Sequence, residues 1–166
     1  MDELIAADFA IRQLYARFVD AAWRQDGAAY AELFVPEGEW KLAARHFRGR
    51  DEIAGAFEHL LGFARKVHVV VGQPLLQVAG DEALARTPCT EFTKMPDGSG
   101  VLAFGIYHDR FVRRDGQWRF RWRHFSLHYR GPADLSADLV GSPDYGPFPA
   151  MPEWDEPTLT VLHRRD

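Results

Sequence analysis

The sequence has 166 residues, 46% hydrophobic and 13% aromatic, with a net charge of −4. A chain of this length builds one core, its apolar content excludes global disorder, and its mild negative charge offers no face that would draw in a nucleic-acid backbone. The single cysteine, Cys89, has no partner for an internal disulfide, and there is neither a CxxC pattern for zinc, nor the basic-then-apolar order of a signal peptide, nor a run of about 18 apolar residues for a membrane span.

A soluble cytoplasmic protein is therefore expected. Residues 2–25 have helical periodicity: Ile11, Leu14, Tyr15, Phe18 and Ala22 form one apolar stripe, while Arg12, Arg17, Asp20 and Arg24 face the other way. Gly27 breaks the pattern. A short second helix over Ala28 to Phe34 stops before Pro36. Glu39 to Leu42 and Ala44 to Arg48 read as short extended pieces. After Gly49 a third helix carries the stripe Ile53, Ala56, Phe57, Leu60 and Leu61.

From Val67 the pattern becomes strand-like. The runs Val67–Val78, Glu82–Lys94, Val101–Arg113 and Trp118–Tyr129 are separated by AGDE, MPDGSG and RRDGQ, which are hairpin-forming strings. Four such strands make an antiparallel meander, and the three helices can cover one face of it. Pro88 cannot donate to a ladder, so the second run should lie at an edge or carry a bulge there. Residues 1–130 thus read as one α+β domain, and residues 131–166 as a Pro/Gly-rich extension. Its Tyr145, Phe148, Met151 and Trp154 are costly to leave in water, so it should pack on the domain or on a partner subunit.

The strings AIRQLYARFVDAAWRQDGAAYAELFVPEGEW, FRGRDEIAGAF, VHVVVGQPLLQVAGDEALAR and YHDRFVRRDGQWRFRWRHF cover about residues 10–130. They resemble the SnoaL-like branch of the nuclear transport factor two-like superfamily, which includes ketosteroid isomerase and scytalone dehydratase. The resemblance implies a cone-shaped α+β barrel, with N-terminal helices packed on a strongly curved antiparallel sheet around an apolar pocket. It also implies proton abstraction by an Asp–His pair, with no cofactor and no metal. Relatives often pair through the outer sheet face, so a homo-oligomer, a dimer or a trimer, is expected.

Three residues are candidates for the chemistry. His68 stands near the position of the family's histidine, but the commoner spacing to Pro74 falls on Val69. A one-residue shift on a strand reverses the side chain, and a bulge would restore it. Glu91 shares one strand face with Ala83, Ala85, Thr87, Cys89 and Thr93. A carboxylate buried there would rise toward a useful base. Arg123 matches an arginine that dehydrochlorinase-like relatives use, and could hold a developing oxyanion. Where dehydratase-type members carry their catalytic Asp, this chain has Trp23. Asp20 pairs at i+4 with Arg24 and reads as a surface charge.

In the last strand, Trp118, Phe120 and Trp122 alternate with arginines, and then the apolar parity flips to Phe125, Leu127 and Tyr129. Either a bulge lies near Arg123 and His124, or the strand passes between two covering layers. Tyr15, Phe18, Trp23, Cys89, Tyr107 and Phe125 are the expected pocket walls, and Tyr107 and Asp109 share a face.

The expected activity is proton transfer, of lyase or isomerase type, on a hydrophobic cyclic or aromatic small molecule. The alternatives are a non-catalytic binding protein of the same shape and a structural partner like the β subunits of ring-hydroxylating dioxygenases.

Overall fold

The computed structural model describes residues 1–158. Helix α1 (Asp2–Arg24) buries Ile11, Leu14, Tyr15, Phe18 and Ala22 along its stripe. Asp2 and Glu3 in its first turn and Arg24 in its last suit its dipole, and Gln25 ends it in the left-handed conformation. The Asp26 side chain accepts a hydrogen bond from Ala29 N and so caps α2 (Gly27–Ala31). This helix ends earlier than its periodicity suggests, because Phe34 already begins a strand.

That strand, β1 (Phe34–Leu42), turns into β2 (Arg45–Arg48), and α3 (Gly49–Gly62) follows. The strand-like run from Val67 is two strands, β3 (Lys66–Val71) and β4 (Leu75–Ala79), broken by Gly72-Gln73-Pro74. Both pair with β5 (Glu82–Lys94), β4 up to Arg86 and β3 from Cys89 onward. Pro88 falls at the gap between the two partners, where no ladder asks for its missing N–H. Strands β6 (Gly100–Arg114) and β7 (Gln117–Gly131) complete the meander.

The class is α+β, with the N-terminal helices packed on the sheet. The seven-stranded sheet runs β2-β1-β7-β6-β5-β3, with β4 also on β5. It differs from the expected arrangement in two ways. It is mixed, because β1 runs parallel to β7, and it does not close.

One face of the sheet carries Ala83, Ala85, Cys89, Tyr107, Phe111, Phe120 and Phe125 against α1. Segment 132–158 crosses the other face. There Lys41 Nζ donates to the carbonyls of Trp154 and Glu156, Arg86 to those of Gly146 and Ala150, and Arg110 to that of Pro152.

Strand β7 explains the parity flip. Phe111 pairs with Phe120 and Arg110 with Trp122, so Arg121 is an extra residue. The bulge lies two residues before the expected place. After it Trp122, His124 and Ser126 face segment 132–158, while Arg123 and Phe125 face α1. The flip thus reflects both a bulge and a sheet covered on both faces.

Candidate functional site

Under α1 the sheet holds a buried polar cluster. Arg123 Nε donates to Asp109 Oδ1 at 2.8 Å and Nη2 to Oδ2 at 3.3 Å, and both side chains are 0% exposed. Asp109 and Arg123 are cross-strand neighbours on β6 and β7, so the register itself makes the pair. Tyr15 of α1 donates its hydroxyl to Asp109 Oδ2 at 2.6 Å, and Thr87 of β5 donates to the Tyr15 oxygen at 2.9 Å. Tyr30 of α2 accepts from Arg123 Nη1 at 3.3 Å.

Aromatic rings box in the guanidinium: its carbon lies 3.7 Å from the Tyr107 ring centre, 4.2 Å from Phe120 and 4.7 Å from Phe18. A charge taken this far from water persists only when paired, hydrogen-bonded and faced by π density.

The electrostatics follow from burial. Desolvation pushes the Asp109 carboxyl up, and Arg123 and the Tyr15 hydroxyl pull it back. Desolvation and the Asp109 charge hold the Tyr15 phenol well above its usual value, so it remains a hydrogen-bond donor at neutral pH.

A cleft of about 400 Å³ opens beside this cluster. Arg12, Tyr15, Ala16 and Val19 of α1 form one wall, and His68 to Pro74, from β3 and its exit, form the other. Tyr15 therefore links the cleft to the buried charges. Among the described residues no three His, Cys, Asp or Glu side chains converge as a metal site.

The SnoaL-like domain model matches residues 3–124. The chain belongs to the SnoaL-like domain family. No curated protein matches this SnoaL-like chain by sequence. Among solved structures it is similar to Rv3472 of Mycobacterium tuberculosis, a protein of unknown function (25% identity, 76% of this chain and 74% of that one, TM-score 0.71). It is also similar to a candidate scytalone dehydratase from Novosphingobium aromaticivorans (21% identity, 86% and 99%, TM-score 0.75). A third similar structure is a type 2 hexachlorocyclohexane dehydrochlorinase (16% identity, 82% and 94%, TM-score 0.72). At such identities the last two speak for the SnoaL-like fold alone.

The expected site residues of this SnoaL-like domain do not all meet. Val67 and Val69 are the buried residues of β3, and His68 between them is exposed, with its ring 6.3 Å from those of Trp23 and Phe92. No bulge turns it inward, because β3 pairs with β5 in unbroken register from Lys66 to Val71. His68 nevertheless lines the cleft at its rim. Trp23 is 49% exposed and walls no interior space.

Glu91 pairs with Val69 and shares its inner face. It is half-buried, and desolvation raises its carboxyl against the pull of Arg130 and Arg123. Cys89 is buried beside it, its thiol pushed up by burial and by the Glu91 charge. Tyr107 and Phe125 pack together, ring centres 4.7 Å apart, and Phe18 meets Tyr107 edge-on.

Sequence reasoning did not assign Asp109, Tyr30 or Thr87 to the site. Asp109 had a signal: it shares strand parity with Tyr107, so it is a carboxylate on a core-facing row. Tyr30, on a helix of five residues, had none.

Proposed function

We propose that this SnoaL-like protein moves a proton on a hydrophobic cyclic or aromatic small molecule, as a lyase or isomerase, in the cleft between α1 and β3. The supporting observation is the joint lining of that cleft by His68 and Tyr15, with Tyr15 hydrogen-bonded to the buried Asp109–Arg123 pair. Val19, Val69, Val71 and Pro74 supply an apolar wall on which a ring can lie.

In this reading His68 is the base, taking a proton from carbon at the cleft rim. Tyr15 borders the bound ring. Arg123 acts at a distance, because its donors are committed to Asp109 and Tyr30: it holds the carboxylate that fixes the Tyr15 hydroxyl. Glu91 is the competing base, raised by burial and set on the inner face of β5.

The test is solvent-deuterium incorporation, followed by NMR, across a panel of hydrophobic cyclic compounds that carry an acidic C–H. For a compound that turns over, His68→Ala should cost about 10²–10⁴ in rate. Full turnover in His68→Ala together with a large loss in Glu91→Gln would transfer the role to Glu91. Full turnover in both would refute the assignment.

A second reading is a binding protein of the same shape. It is favoured by the fully paired state of Asp109 and by Trp23 standing where relatives carry their acid. A ligand retained through long incubation and recovered unchanged would support it.

A further inference from the structure

The outer face of β6 and β7 holds a second buried cluster, unconnected to the cleft. His108 and His124 are cross-strand partners with ring centres 6.0 Å apart. They are 4% and 1% exposed, and the Nδ1 of each has no hydrogen-bond partner. Ser126 lies on the same face, beside Tyr145 of the segment.

What buries them is the C-terminal segment. The Tyr145 ring lies 5.1 Å from His108 and 6.1 Å from His124, and Trp154 lies 5.7 Å from Trp122, which stacks on His124. The segment is fastened mainly by its backbone carbonyls. Arg86 reaches Gly146 O at 2.8 Å and Ala150 O at 2.6 Å, Arg110 reaches Pro152 O at 3.1 Å, and Trp122 Nε1 reaches Trp154 O at 3.2 Å.

We propose that residues 141–158 are an acid-released strap: neutral His108 and His124 allow it to dock on the outer sheet face, and their protonation frees it. The surroundings argue for this sign. Arg86 of β5 and His128 of β7 act on His108, Lys41 of β1 acts on His124, and Arg110 of β6 lies over the Trp122 ring that stacks on His124. Among the described residues no carboxylate hydrogen-bonds to either imidazole. The nearby acids Glu39, Glu153, Asp155 and Glu156 interact with Lys41, Arg110 and Tyr145 instead.

A proton arriving on this face therefore joins existing positive charge in a dry site. Burial, then His124, Arg86 and His128, push His108 down to about 3, and burial, then Lys41, push His124 down to about 4.

With the strap lifted, both rings meet water and regain an ordinary value near 6.5. Between about 6.5 and 4 the released form binds more protons than the docked one. The docked-to-released ratio should then fall by up to about tenfold per pH unit for each histidine. Above pH 7 both forms are neutral and the strap stays down.

The test is hydrogen–deuterium exchange on the full chain at pH 7.5 and pH 5.0, corrected for intrinsic exchange. Peptides covering 141–158 should lose at least tenfold protection at pH 5.0 while those of β5 and β6 keep theirs. In the double variant His108→Gln, His124→Gln, exchange of 141–158 should be the same at both values. If the double variant does not fold, the single variants His108→Asn and His124→Asn should each show about half the pH slope. Unchanged protection in the wild type would overturn the proposal. So would simultaneous loss from β5 and β6, or an undiminished pH response in the histidine variants.

Discussion

Arg123 and Asp109 set the energetics of the interior. Each is wholly out of water and each is the other's main compensation. Removing one partner leaves the other charge buried and unpaired, which costs about 3–5 kcal/mol. Asp109→Ala should therefore lower the unfolding free energy by that amount, measured by denaturant titration. Tyr15→Phe deletes one hydrogen bond to a charged group and should cost less, about 1.5–3 kcal/mol. Equal losses in the two variants would show that Asp109 is not held mainly by Arg123. Much of this chemistry was legible residue by residue. Alternation placed Asp109 beside Tyr107, and it placed Glu91 on the inner row. The contact between Asp109 and Arg123 was not legible, because their register depends on the extra residue at Arg121, which pairs with nothing on β6.

At the scale of elements, the two bulges of β7 decide which side chains meet. The second lies where Phe104 pairs with Tyr129 and Gly105 with Leu127, leaving His128 as the extra residue. Gly105 is needed there: a Cβ on it would stand 2.1 Å from Ser126 O, a backbone atom that cannot move alone. Gly105→Ala should destabilise by about 1–3 kcal/mol. Gly55, inside α3, is the contrast, because a Cβ there meets nothing within 4 Å. Gly55→Ala should stabilise by roughly 0.5–1 kcal/mol. Thermal melts of the two variants check both signs. The bulge at Arg121 announced itself in the sequence by the switch from Trp118, Phe120 and Trp122 to Phe125, Leu127 and Tyr129. Its exact place did not, because both faces of β7 are covered, and an apolar residue then fits either side.

At the scale of the whole molecule, the helices and the meander were readable because each is closed by local signals, a stripe or a hairpin string. The parallel pairing of β1 with β7 was not. Phe34 pairs with Phe120 and Trp40 with Arg123, partners far apart in sequence, and no turn between them records the match. Of the strand itself only Glu39 to Leu42 was readable as extended, because Phe34 reads as the end of the second helix and Pro36 as its stop. That pairing also fixes the order in which the protein can be finished. Leu42 leaves the ribosome on the order of ten seconds before Gly131, at ordinary rates of synthesis. Through that interval β1 has β2 and α3 beside it but lacks its parallel partner. The last strand made is the one that completes the pairing of β1. In refolding by pulse-labelled hydrogen exchange, the β1 amides that face β7 should gain protection in the same kinetic phase as β7, and no earlier.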